Sequence, residues 1–297
     1  MNLSLRLAAE HLSLATVVML VMAACLSAQE PTATPAPDPT PTPKESVCKG
    51  NFFKNILCDQ KAIWLSPREL RAKDARWLAP LALGTGNLIA TDRYTAAEFG
   101  ENHTRLQISN AVSHAGAGYG VGSIVAAAYL IGRGTSNDYL RDTGKLAAEA
   151  LIDAAIVDFT FKEITRRPRP LEGGGRGRFL TSGHSHPSGH SAAAWSVATV
   201  FACRYQDKPV VHYGAYMAAS AVSISRFTAR RHFLSDILVG GALGYGVGRY
   251  VCHMDELRNP KSNDANPHRR PAFIPSSVGG RFDRRTREYG VALAWDF

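Results

Sequence analysis

Ser225-Arg226-Phe227-Thr228-Ala229-Arg230-Arg231-His232-Phe233-Leu234-Ser235-Asp236 is the stretch on which the reading of this chain turns. It holds an arginine, then a histidine, then an aspartate four residues beyond that histidine. A helix beginning near His232 would bring Asp236 round to the same face one turn later. There the carboxylate would accept the Nδ1 proton of His232, fix the tautomer and leave Nε2 with its lone pair outward. Arg226 adds a fixed cation suited to an anionic substrate. Alone, the same pattern describes a solvated helix start with an ion pair, so its weight depends on the rest of the chain.

Two other stretches supply that weight. Lys162-Glu163-Ile164-Thr165-Arg166-Arg167-Pro168-Arg169-Pro170 sets a lysine at a helix end and arginines just beyond, before prolines that stop the helix. Pro187-Ser188-Gly189-His190 reads as a helix start, with Ser188 at the N-cap and its hydroxyl free to donate. Gly189 lets a backbone N–H approach an anion, and the first turn brings the positive end of the helix dipole. His190 would then sit over whatever binds.

Around these motifs, six segments have helical character: 74–90, 106–132, 144–165, 188–204, 210–227 and 232–251. They are rich in Ala, Gly and Ser and lack the alternation of strands. Small residues let helices approach closely, which predicts an all-α, compact six-helix bundle. Residues 46–73 mix aromatics and charges and are expected to pack on that core. The tail beyond residue 253 is charged, with Pro and Asn as far as Arg270. It ends in an alternating run, Tyr289 to Phe297, that predicts a short β-hairpin-like element.

The formal charge of +9 over 297 residues suits anionic partners. The cations cluster on loops (Arg166, Arg167, Arg169, Arg176 and Arg178; then Arg226, Arg230 and Arg231) rather than on a basic face interleaved with aromatics. That favours a small anionic group and argues against nucleic acid. His184 and His186 form a His-x-His pair, but no third ligand stands at suitable spacing, so no metal is expected. Gly173-Gly174-Gly175-Arg176-Gly177 lacks the Lys-Ser/Thr ending of a P-loop and reads as a substrate-admitting rim.

The N-terminus has the form of an export signal: Arg6, an apolar run from Leu12 to Ala24, then small residues through Ala28. Cleavage after Ala28 is the preferred reading and implies a periplasmic location. A lipoprotein through Cys25 and an integral inner-membrane protein are the alternatives. Residues 29–45 form a Pro/Thr-rich spacer with no means of building a core. Removing Cys25 leaves four of the five cysteines, an even number in an oxidising compartment. Glu149, Asp153, Asp158 and Lys162 would be costly in hydrocarbon, so an exported bundle outside the membrane is favoured over a spanning one.

Taken together, Lys-x6-Arg-Pro, Pro-Ser-Gly-His and Ser-Arg-x5-His-x3-Asp resemble the type 2 phosphatidic acid phosphatase and vanadium haloperoxidase superfamily. The resemblance covers about Leu106 to Val251, with Arg230-Arg231 and His186 as departures from the common pattern. It implies a helical phosphatase domain at 74–253, between the N-terminal segment 46–73 and the tail 254–297. It also implies that Lys162, Arg169, Ser188, Gly189 and Arg226 bind the phosphate and that His232, oriented by Asp236, is the nucleophile. His190 would be the general acid and base. No cofactor is implied, and vanadate is expected to bind as a phosphate mimic.

The implied activity is metal-independent hydrolysis of phosphomonoesters, with lipid phosphates or small soluble esters as substrates and a bell-shaped pH profile. A vanadium haloperoxidase and a non-catalytic anion-binding envelope protein are the alternatives. Association with a membrane surface fits this reading, and the oligomeric state is undetermined by it. In such a bundle, Cys203 and Cys252 lie about 22 and 30 Å from helix starts at the site, at ~1.5 Å per residue. Both are then near the far end, and a Cys203–Cys252 disulfide is expected, with Cys48–Cys58 as the second pair.

Overall fold

The computed structural model describes residues 48, 50–98, 102–259, 277–283 and 288–294. The expected leader (1–28), the spacer (29–45), Cys25 and the end of the tail at 295–297 lie outside them. The described residues from 48 to 259 form an all-helical bundle of eight α-helices rather than six. In chain order these are α1 Phe52–Leu65, α2 Ala75–Glu98, α3 His103–Ala115 and α4 Gly118–Gly134. They continue with α5 Asp138–Thr165, α6 Gly189–Arg204, α7 Pro209–Thr228 and α8 Leu234–Arg258. Two strands, β1 Ser277–Asp283 and β2 Glu288–Ala294, pair antiparallel with Gly280 opposite Val291.

The difference in helix count has local causes. α1 is a full helix because Asn51 caps it, its side chain accepting the Lys54 N–H at 3.0 Å. The expected segment 106–132 is two helices, broken at Gly116 and Ala117. A side chain at Gly116 would collide with Val222 of α7, so the break lies where that helix presses closest. α2 continues past Ala90 to Glu98 despite its polar Thr-Asp-Arg run, and Asp92 in that extension is 1% exposed.

The largest helix–helix interface joins α6 to α8. Gly240, Gly244 and Gly248 recur at i, i+4 and i+8 on α8, facing the carbonyls of Ser188, Ala192 and Ser196 on α6. A Cβ on Gly240 would lie 2.5 Å from the Ser188 carbonyl oxygen, and one on Gly248 2.7 Å from that of Ser196. This glycine stripe lets the two backbones approach to a distance no other residue allows. Around it, Val125, Leu146, Ala150, Val200, Val247 and Val251 make the core.

Two disulfides lie away from the loops that follow α5 and α7. Cys48 pairs with Cys58, and Cys203 at the end of α6 pairs with Cys252 on α8. Near them, Arg258 binds Glu149 at 2.6 Å and also Asp59, holding α1, α5 and α8 together. α5 is capped by Arg166, in the left-handed region at φ 44°, and Pro168 prevents resumption of the helix. α5 and α7 therefore finish, and α6 and α8 begin, at one end of the bundle. No single helix among the described residues is long and apolar enough to cross a membrane. The bent pair 103–114 and 118–134 passes that test only jointly.

Candidate active site

The ends of four helices bring the expected residues together. Lys162 lies in the last turn of α5, Ser188 at the N-cap of α6, and Gly189 and His190 in its first turn. Arg226 is in the last turn of α7, His232 two residues before α8, and Asp236 in the first turn of α8. Arg169 comes from the loop between α5 and α6 and, with Lys162 and Arg226, acts electrostatically on His190.

Gly189 shows how tightly this end is built. A Cβ there would fall 2.7 Å from both Lys162 Nζ and Asp158 Oδ2, so any side chain would displace the lysine and the carboxylate from beside the helix start. Ser188 is fully buried, and its backbone N–H donates to the Asp236 carbonyl at 2.9 Å, fixing the start of α6 against that of α8. The expected side-chain cap does not form. The Ser188 Oγ instead accepts from Ser191 at 3.2 Å, which leaves its own proton available. Arg226 is 8% exposed, donates to Ser113 Oγ on α3, and has its Nε buried without a hydrogen-bond partner among the described residues.

The histidine–aspartate relationship differs from expectation. α8 begins at Leu234, so His232 precedes the helix instead of opening it. Its Nδ1 donates to the Ser185 carbonyl oxygen at 2.8 Å, whereas the nearest oxygen of Asp236 is 3.6 Å away. A backbone carbonyl, not the carboxylate, fixes the tautomer. Nε2 is still left as the lone-paired nitrogen.

Asp236 is instead the hub of a buried network. Its Oδ1 accepts from Arg167 at 2.6 Å and from His186 Nδ1 at 3.0 Å. Its Oδ2 accepts the Ser185 hydroxyl at 2.6 Å and the Phe233 N–H at 3.0 Å. Burial works to raise its pKa, but the His186 hydrogen bond, the nearby His232 and the Arg167 charge outweigh it. The carboxyl is held well below the usual carboxylate range.

Arg167, read from sequence as one of several loop cations, is 1% exposed. Beyond Asp236 it donates to Ser235 Oγ at 2.7 Å, to the Gly177 carbonyl at 3.0 Å and to Asp92 of α2 at 2.8 Å. Its guanidinium lies 4.2 Å from the centre of the Phe233 ring and 4.7 Å from that of Phe179. Asp92 also accepts the Ser235 N–H at 3.3 Å. The sequence held no signal for Asp92, which lies 144 positions before Asp236. His186 was visible as a departure from the family pattern, without a role. The two members of the His-x-His pair separate: His184 meets Glu163 on the surface at 3.0 Å, and His186 turns inward.

The site shifts both histidines toward the neutral form. Burial first, then Arg226, His232, Lys162 and Arg169, push His190 down to about 3. Burial first, with Arg226 and Lys162, also lowers His232, against the opposing pull of Asp236. A concentrated positive field over two neutral imidazoles can hold an oxyanion, deliver a nitrogen nucleophile and accept a proton.

Residues 144–260 match the PAP2 superfamily. Over 78 residues, 26% of this chain, the sequence is 42% identical to the lipid A 1-phosphatase of Porphyromonas gingivalis. That match spans 18% of the relative's length, so the chain covers less than a fifth of it. Among solved structures, a transmembrane PAP2 type phosphatidylglycerolphosphate phosphatase from Bacillus subtilis aligns with a TM-score of 0.46 at 23% identity. The alignment covers 60% of this chain and 96% of that one.

Proposed function

We propose, from the match of residues 144–260 to the PAP2 superfamily, that the protein is a metal-independent phosphatase of phosphomonoesters, acting on lipid phosphates. The observation that carries the reading is the constellation at the ends of four helices: His232 with Nδ1 committed to the Ser185 carbonyl, amid Lys162, Arg169 and Arg226.

In this reading Lys162, Arg169, Arg226, the Ser188 hydroxyl and the Gly189 N–H hold the nonbridging oxygens. Nε2 of His232 attacks phosphorus in line. The phosphorus–oxygen bond to the leaving alcohol breaks as the phosphohistidine bond forms, and His190 gives the alkoxide its proton. His190 then takes a proton from water, whose oxygen attacks phosphorus, and the phosphorus–nitrogen bond breaks to release phosphate. Charge already fixed around the oxygens stabilises the transition state without reorganisation.

A His190 pushed down to about 3 is neutral in the empty site at any ordinary pH. The proton it gives must therefore arrive with the substrate, whose negative charge offsets Arg226 and Lys162 and raises the imidazole again. The reacting complex carries at least one proton more than the neutral site plus a phosphate dianion, so kcat/KM falls on the alkaline side.

Lipid substrates are favoured over soluble esters by the rim. Leu171 and Leu180 stand 60% and 75% exposed on the loop that also carries the exposed Arg166, Arg176 and Arg178. Apolar side chains beside cations suit a phosphorylated head group at an apolar surface. Leu83, Leu130, Phe159 and Met217, on α2, α4, α5 and α7, are each more than 60% exposed and extend that character along the helices. We place the protein outside the cytoplasm at a membrane surface, the location implied by its leader-like N-terminus and its disulfides.

The test is phosphate release, without added metal, from p-nitrophenyl phosphate and from phosphatidic and isoprenyl phosphates, with His232→Ala alongside. Release that disappears in the variant, together with acid-labile phosphate trapped on the wild-type protein, is the expected outcome. Release that persists in His232→Ala sinks the mechanism. Bromide oxidation with vanadate and peroxide, in the absence of release, replaces it with haloperoxidase chemistry.

A further inference from the structure

A carboxylate stands inside the proposed phosphate site, and the mechanism above gives it nothing to do. Asp158 lies one turn before Lys162 on α5, and its Oδ2 is 2.5 Å from Lys162 Nζ. The two side chains are 9% and 18% exposed. The same Oδ2 is 2.7 Å from the point where a Gly189 Cβ would be, at the start of α6. The other oxygen, Oδ1, is buried without a hydrogen-bond partner among the described residues. An oxyanion seated on Lys162 and the Gly189 N–H would meet this carboxylate directly.

We propose that Asp158 is the internal counter-ion of the phosphate site: it holds Lys162 while the site is empty, competes with the incoming phosphoryl group for it, and must take up a proton for a dianion to bind. The inference rests on the phosphate-site reading above and deepens it by naming a specificity-determining residue. The cation that would grip the substrate is not left bare in a buried place, where it would be costly, but is released to the substrate by proton uptake from solvent.

The ionisable groups around the pair come from every neighbouring element. Lys162 on α5 and His186 from the following loop act on Asp158 directly; Lys162 in turn acts on His190 of α6 and His232 before α8, on which Arg226 closing α7, the loop residue Arg169 and Asp236 of α8 also act. Burial, opposed by Lys162 and His186, raises the Asp158 carboxyl above its ordinary value, which brings protonation within reach of an anion's pull. Neutralising Asp158 removes the negative charge paired with Lys162, so a bound dianion is favoured twice: repulsion is lost and the lysine is freed.

The test uses sulfate, a tetrahedral dianion with no proton of its own to exchange in the working range, as a competitive inhibitor of p-nitrophenyl phosphate hydrolysis. Its Ki is measured from about pH 5 to about pH 8 for the full chain and for Asp158→Asn and Asp158→Glu. In the wild type Ki is expected to rise with pH. Asp158→Asn is expected to bind sulfate at least ~10-fold tighter at the alkaline end, with a pH slope shallower by about one proton. Asp158→Glu, which keeps the charge, retains the wild-type slope. Calorimetric titration of sulfate in two buffers of different ionisation enthalpy gives proton uptake directly, and that of the wild type exceeds that of Asp158→Asn by about one. An Asp158→Asn variant with wild-type Ki and slope, or with weaker binding at every pH, overturns the proposal while leaving the phosphatase reading intact. A wild-type protein that neither hydrolyses the ester nor binds sulfate overturns both.

Discussion

The carbonyl oxygen of Ser185 accepts the Nδ1 proton of His232 at 2.8 Å, 0.8 Å closer than the nearest oxygen of Asp236 at 3.6 Å. A main-chain acceptor cannot be removed by changing a side chain. Asp236→Asn should therefore leave the tautomer of His232 in place and lower kcat by about 10²-fold, whereas His232→Ala abolishes turnover. Ser185→Ala keeps the carbonyl and should lose less than Asp236→Asn. Steady-state kinetics on p-nitrophenyl phosphate checks the order of the three. Equal losses in Asp236→Asn and His232→Ala would return the orienting role to the carboxylate.

Arg167 joins Asp92, Asp236 and Ser235 in a place closed to water, so breaking the set leaves an uncompensated charge. Asp92→Asn and Arg167→Met should each destabilise the protein by about 3 kcal/mol or more, the usual cost of losing one member of a buried pair. In a chain of this size that is a fall in Tm of about 10 °C. Differential scanning calorimetry reads it directly, and a change under about 2 °C would show the network to be dispensable.

Gly189→Ala places a methyl group where Lys162 Nζ and Asp158 Oδ2 now lie, each 2.7 Å from the new atom. The expected result is a drop of at least ~10-fold in kcat/KM, carried mainly by KM, with little change in Tm. A large loss of Tm with normal kinetics in the folded fraction would mean that Gly189 serves packing alone.

Midway along α5, burial first and then the Asp59 charge push Asp153 up to about 7, against a hydrogen bond from Gln60 at 2.8 Å. Glu149 is raised as well, again by burial and Asp59, against Arg258. A folded-state pKa above the unfolded one means that the stabilisation is complete below about pH 4 and is lost as pH rises toward about 7. Stability should fall across that window by up to about 1.4 kcal/mol per pH unit for each proton involved. Asp153→Asn keeps an oxygen for Gln60 and should flatten the slope. Urea unfolding at several pH values provides the check, and a parallel slope in the variant would refute it.

The Cys203–Cys252 bond closes 49 residues of chain between α6 and α8. By loop entropy such a closure contributes about 4 kcal/mol. Cys203→Ser with Cys252→Ser should lower Tm substantially, yet leave the sulfate Ki unchanged, because both positions lie at the other end of their helices from the site.

Much of this was written in the chain itself. Helix ends are set by neighbouring residues, so Pro168 after α5 and Pro187-Ser188 before α6 could be read in order. The motif residues from Lys162 to Asp236 stood at spacings that named the family. What the sequence could not supply was which partner each polar group takes once water is excluded. Asp92 finds Arg167 because α2 runs on past a polar stretch to reach it. Asp236, four residues from His232, spends its oxygens on Arg167, His186 and Ser185, because desolvation makes the strongest donors within reach decide the network. Gly116 divides a helix for the sake of Val222, more than a hundred residues away. Local chemistry fixed where helices begin and end, while burial, which acts only between elements brought together, chose the partners.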